Sequence, residues 1–145
     1  MQKTIDEVQH EIIEEFSVYE DWLDKYSYLI ELGNGLGSLD PSEKTDQNLI
    51  KGCQSRVWLV SDFADGRISF RGESDAVIVK GLVALLLRVV SGRTPAELLE
   101  HELFFIDALG LKQHLSPTRA NGLLAMVKQI RLYAVAYNKI SEREV

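Results

Sequence analysis

A single β-hairpin pattern lies between segments of helical pattern, and this order limits the folds that the chain can adopt. The two β-prone runs are Arg56–Val60 and Ile68–Arg71, and Asp65-Gly66 lies between them. Asp-Gly is a strong hairpin signal, because both central residues of a type I′ turn have a positive φ. With helices before and after the hairpin, we expect an α+β domain whose helices cover one face of a small antiparallel sheet. A third strand beside the hairpin is left open.

The segments before the hairpin have apolar residues at helical spacing. Thr4-Ile5-Asp6-Glu7 has the form of a capping box, which predicts a first helix from Ile5. A second apolar stripe predicts a helix from Trp22 to Ile30. Gly33 stands where a glycine would end that helix, and the glycine-rich stretch after it is predicted to be a turn.

The segments after the hairpin are also helical in pattern. Val77–Val90 is apolar nearly all round, which predicts a helix that runs through the core. It falls short of the ~20 apolar residues that a membrane span needs. Thr94-Pro95-Ala96-Glu97 is a second capping box, which predicts a short helix after it. The segment Phe104–Leu109 follows, closed by Gly110, and Ser116-Pro117 opens the last helix.

Length and charge narrow the class of protein. At 145 residues, one domain spanning 1–145 is expected. The net charge is −6, and residues 1–46 hold twelve acidic side chains against three basic ones, which suits a solvated face or a basic protein partner. Lys and Arg form no cluster of the kind that binds nucleic acid. The first residues turn acidic at once and lack an apolar leader, so we expect a cytoplasmic protein that binds neither nucleic acid nor membrane.

Cys53 is the only cysteine, and this count excludes an intramolecular disulfide and a Cys-rich zinc or iron–sulfur site. No metal site is predicted. Cys53 follows Gly52 directly before the first β-prone run, at a junction of the kind that often carries function. The nearby charges of Lys51 and Arg56 would favour a reactive thiolate. A small buried hydrophobic residue is the alternative, and the local residues alone favour it.

The other candidate residues have simpler explanations. A cysteine hydrolase would need His101 or His114 beside Cys53, and no catalytic signature supports this pairing. Asp75, near Glu73, stands at the start of the apolar helix, where capping of the helix explains a carboxylate.

Five segments together resemble the SufE-like cysteine desulfuration proteins. The segment Gly52–Leu59, with the sequence G-C-Q-S-R-V-W-L, is similar to the active-site segment of that family. Gly72–Ala76, Ile78–Leu82, Ser116–Arg119 and the Trp22–Gly33 helix extend the similarity over most of the chain. Glu73 stands where many relatives carry Asp. The resemblance implies the fold that this family shares with U-type iron–sulfur scaffold proteins, although one Cys cannot supply a scaffold's several thiolate ligands.

The resemblance also implies a mechanism. Cys53 would take sulfur, as a persulfide, from a SufS-type cysteine desulfurase, activate that enzyme and deliver the sulfur to the SUF scaffold complex for iron–sulfur cluster assembly. Pyridoxal phosphate would reside on the desulfurase, so this chain would need no cofactor and have no independent catalytic turnover. Gly52, Arg119 and Asp75 would support the Cys53 loop. Three matters stay open: a non-covalent adaptor with a structural Cys53, a sister desulfurase system as partner, and a homodimer. A cysteine redox sensor is a weaker alternative.

Overall fold

One β-hairpin packs against helices in residues 2–143, the part of the chain that the computed structural model describes. The elements are, in chain order, α1 (Ile5–Ser17), α2 (Trp22–Asn34), a 3₁₀ turn (Pro41–Glu43), β1 (Val57–Ala64), β2 (Arg67–Ser74), α3 (Val77–Val90), α4 (Pro95–Glu100), α5 (Phe105–Ala108), α6 (Leu111–His114) and α7 (Pro117–Arg143). The α+β class is thereby confirmed.

The hairpin has the predicted turn. Asp65 and Gly66 have φ values of 55° and 76°, as a type I′ turn requires, and β1 pairs with β2 along its whole length. The open third strand is reduced to isolated bridges within residues 2–143, among them one between Leu49 and Trp58. A strand cannot continue there, because Gly52 adopts a φ of +94° and turns the chain away.

Helices cover the inner face of the hairpin, as expected. Side chains alternate along each strand, so every second residue of β1 and β2 faces the helices. The buried contributors from the strands, α3 and α7 are Val57, Leu59, Ile68, Phe70, Val83, Leu86, Met126 and Ile130. None of the helices in residues 2–143 combines the length and apolar character that a membrane crossing requires.

The α2–α3 contact depends on two glycines. A Cβ on Gly81 would lie 2.2 Å from the Leu29 carbonyl oxygen, and one on Gly33 would lie 2.8 Å from the Gly81 nitrogen. The expectation that Gly33 ends the second helix is wrong: α2 continues to Asn34 and Gly35 is its C-cap. Gly33 is needed for close packing of the two helix backbones rather than for a left-handed turn.

The outer face of the hairpin is covered in part by residues 39–48, named here the outer segment. Buried Glu73 on β2 accepts a hydrogen bond from the Leu39 amide at 2.8 Å and forms an ion pair with Lys44. This hydrogen-bonded ammonium lowers the pKa of Glu73. The Lys44 nitrogen also lies 5.6 Å from the centre of the Trp58 ring. The buried Glu73 carboxylate and the Arg71–Glu43 ion pair thus hold the outer segment, which leads directly to the Cys53 loop.

Candidate functional site

The loop of residues 51–56 places Cys53 against the first half of α7. Gly52 makes the positive-φ turn that brings the chain onto this helix. A Cβ on Gly52 would lie 3.4 Å from the Ala125 Cβ, and one on Gly122 would lie 3.4 Å from Cys53 Sγ. Gly122 and Ala125 are one turn apart on α7. Because both residues are small, the Cys53 loop can pack closely against the helix at these positions.

The Cys53 thiol is half-buried in this position. Sγ donates to the Gly122 carbonyl oxygen at 3.5 Å, a weak contact for a thiol. Burial raises the pKa of the Cys53 thiol, because the thiolate would lose solvation. The expectation that Lys51 and Arg56 favour the thiolate is therefore wrong for this conformation. Both side chains are exposed, and the loss of solvation at the Cys53 sulfur determines that its pKa is raised.

A cavity of about 20 Å³ lies beside the sulfur. The loop, α3 and α7 contribute its lining: Cys53, Gln54, Ser55, Val79, Thr118, Arg119, Gly122 and Met126. A space of this size holds about one small group, since a single water needs roughly 10–15 Å³ on the same measure. The structure brings Arg119, an exposed residue, to the lining of the same cavity as Cys53.

Asp75 holds the end of the loop that enters β1. The Arg56 amide donates to Asp75 Oδ1 at 3.1 Å, while the Arg56 carbonyl oxygen accepts from Ser74 Oγ at 2.8 Å and from the Asp75 amide at 3.3 Å. The interpretation of Asp75 as a helix cap is wrong, because Ala76 is the N-cap of α3 and no side chain caps it. The carboxylate binds the loop instead.

The two histidines considered for a Cys–His pair lie elsewhere. His101 faces Asp6, with 3.4 Å between Nδ1 and Oδ1, and the His114 ring stacks on Trp22. Neither lines the Cys53 cavity. Within residues 2–143 the structure brings together no three His, Cys, Asp or Glu side chains that could hold a metal ion.

Sequence reasoning gave no role at the thiol to Gly122, Val79 or Met126, which line the cavity beside it. Met126 and Val79 belong to apolar stripes that serve the core as well, so their types carry no separate signal. Gly122 did carry one, because a glycine inside a helical pattern costs about 1 kcal/mol and usually marks a close contact.

The fold and the site define a small α+β protein whose one thiol lies in a loop sheltered against a long C-terminal helix. Its fold is similar to the solution structure of a hypothetical protein from Thermus thermophilus. The TM-score is 0.73, with 91% of this chain and 96% of that chain covered. Sequence identity is 20%, so this likeness concerns the fold alone.

The sequence comparisons give the family. The model of the SufE domain, described as an Fe-S metabolism associated domain, matches residues 10–134. An uncharacterized SufE-like protein from Rhizobium meliloti is 41% identical, over 83% of this chain and 90% of that protein. Another from Rhizobium etli is 44% identical, over 83% and 85%. The chain belongs to the SufE family and has a role in iron–sulfur metabolism, which confirms the resemblance.

Proposed function

We propose that this protein is a sulfur carrier that accepts a persulfide sulfur on Cys53 and activates the cysteine desulfurase that donates it. The observation that carries the proposal is the position of the lone thiol. Cys53 lies in a loop with a glycine turn, and the cavity beside its sulfur has room for about one further atom. A single thiol is sufficient for this chemistry, because one cysteine carries one sulfur.

The transfer is an exchange between two thiols. Cys53 loses its proton to solvent or to the partner, and the thiolate attacks the terminal sulfur of the desulfurase persulfide. A new S–S bond forms on Cys53 while the S–S bond on the desulfurase breaks, and the desulfurase thiolate takes up a proton. No net oxidation occurs. The desulfurase recovers its free cysteine, so a faster turnover follows from the transfer itself.

The loop has to open for this exchange. The half-buried Cys53 sulfur cannot reach into another protein's active site, and its raised pKa disfavours the thiolate while the loop is closed. Gly52 supplies a backbone position at which the loop can turn outward, and Asp75 opposes that motion by holding Arg56. The closed state would then protect the loaded sulfur from solvent.

Arg119 is the proposed partner of the loaded sulfur. Arg119 is the one arginine among the cavity's lining residues, and its guanidinium would stabilise a persulfide anion on Cys53. The chain needs no cofactor for these steps, and pyridoxal phosphate belongs to the SufS-type desulfurase. The recipient is the SUF scaffold complex, and we expect the exchange in the cytoplasm by one domain spanning residues 1–145.

The test is mass analysis of the intact chain after incubation with a SufS-type desulfurase and L-cysteine. Wild type should gain one sulfur atom, which reductant removes, and Cys53→Ser should gain none. Arg119→Gln should hold the sulfur for a shorter time than Arg143→Gln, a change of the same kind at the far end of α7, away from the cavity.

A non-covalent adaptor is the second candidate, and the burial of Cys53 favours it. That function requires Cys53→Ser to stimulate the desulfurase as fully as wild type does. Such a result would refute the carrier mechanism.

A further inference from the structure

A second site of this chain is a groove beside the Cys53 loop. Residues 46–51 form one wall and the middle of α7 forms the other, enclosing about 690 Å³. Leu49, Leu59 and Ala125 contribute apolar surface, and Leu132 on the rim is 52% exposed. The groove ends at Lys51, two residues before Cys53.

The face of α7 beside the groove combines apolar and basic residues. Leu124, Leu132 and Val135 are 43%, 52% and 41% exposed. Lys128 and Arg131 lie four and seven residues after Leu124, on the same side of the helix. Large apolar side chains grouped on an exposed face are typical of a binding surface.

Charge indicates what binds there. The chain has a net charge of −6, yet α7 holds five basic residues and one acidic residue between Pro117 and Arg143. Lys51 and Lys128 both line the groove, and Asp46 is its one carboxylate. A segment with apolar side chains flanked by carboxylates would match both the apolar surface and the lysines.

We infer that this groove docks an acidic, apolar segment of the desulfurase that donates sulfur to Cys53. The inference rests on the proposed function and adds to it the surface and the chemistry of recognition. The donor is taken as the occupant because Cys53 must reach the donor's persulfide in the proposed transfer, and the groove wall includes Lys51, two residues before Cys53. A second copy of the chain is disfavoured, since a permanent occupant would crowd the loop that has to open.

The test measures the initial rate of sulfur transfer from the desulfurase to this chain at varied chain concentration. Lys128→Glu should raise the KM about three- to tenfold at 0.1 M salt, and the difference should shrink at higher salt. Leu132→Ser should raise the KM without a salt-dependent difference. Neither should lower kcat, because neither side chain lines the Cys53 cavity.

Lys139→Glu is the matched control. It is an exposed lysine on the same helix, eleven residues and therefore about 16 Å along the axis from Lys128, beyond the Debye length at this salt. An unchanged KM in both groove variants, or an equal increase in Lys139→Glu, overturns the inference. So does sedimentation showing that wild type is a dimer which the groove variants dissociate. If wild type itself gains no sulfur on Cys53, the proposed function fails instead.

Discussion

Removal of the Asp75 carboxylate should make the Cys53 thiol more accessible without unfolding the chain. Asp75 Oδ1 accepts the Arg56 amide at 3.1 Å, and this bond ties the loop to the start of α3. Asp75→Ala removes it. The Arg56 carbonyl oxygen keeps its hydrogen bond from Ser74 Oγ at 2.8 Å, so β1 should still begin at Val57.

The size of the effect follows from the type of hydrogen bond. A bond to a charged acceptor contributes about 1.5–3 kcal/mol, but water replaces it readily at an exposed residue such as Asp75. We therefore expect a loss of ~1 kcal/mol in the free energy of loop opening. Since 1.4 kcal/mol is a factor of ten, the open population should rise about fivefold.

The assay is the rate at which iodoacetamide alkylates Cys53 at a fixed pH and low reagent concentration, where the rate follows the open population. Asp75→Ala should react about fivefold faster than wild type, and Asp75→Asn, which keeps an acceptor oxygen, should react at nearly the wild-type rate. Asp24→Ala is the control, because it removes an exposed carboxylate from the first turn of α2. An unchanged rate in Asp75→Ala, or an equal increase in Asp24→Ala, would refute the reasoning.

Three further predictions concern pH, packing and exchange. Because burial raises the pKa of Cys53, the unfolded chain loses its thiol proton first as pH rises. The free energy of unfolding, measured by urea titration, should therefore fall above about pH 8.5. If a Cys53→Ser chain shows the same fall, Cys53 is not its cause and the prediction is wrong. Gly81→Ala should lower the Tm by about 5–10 °C or more, because its Cβ would overlap Leu29, whereas Gly35→Ala should change it little. In hydrogen exchange, the Arg56 amide should exchange faster than the Leu39 amide, although both donate to carboxylates, because Glu73 is buried and Asp75 is exposed. Equal protection of the two amides would show that the outer segment and the loop open together, which would contradict this prediction.

Local signals in the sequence predicted most of the elements. Thr4 and Thr94 each complete a capping box, and the Asp65-Gly66 turn has the expected positive φ values. These features are decided within four or five residues, so the sequence displays them directly. The predicted end of α2 was wrong because Gly33 is required by its close contact with Gly81 on α3, which lies 48 residues later in the sequence.

The candidate site was less predictable, because its geometry is made by contacts distant in sequence. Cys53 could be singled out by its neighbours and by the family resemblance, but its shelter comes from Gly122 on α7. The nearby basic residues suggested a lowered pKa, yet burial acts in the opposite direction. An aspartate at position 75 suits a helix cap and a loop anchor equally well, so only the fold could show which of the two roles Asp75 has.

The two carboxylates at the end of β2 explain how a sheltered thiol can remain usable. Glu73 holds the outer segment through a buried carboxylate with an ion pair, so that part stays fixed. In the loop that follows, the Cys53 thiol makes a weak 3.5 Å contact, while Arg56 at the end of the loop is held by the exposed Asp75 and by Ser74. Because the weak thiol contact follows the strong anchor, the proposed opening would move Cys53 outward at Gly52 while the groove wall before it keeps its shape. A partner bound in that groove would then meet a moving thiol on a rigid surface.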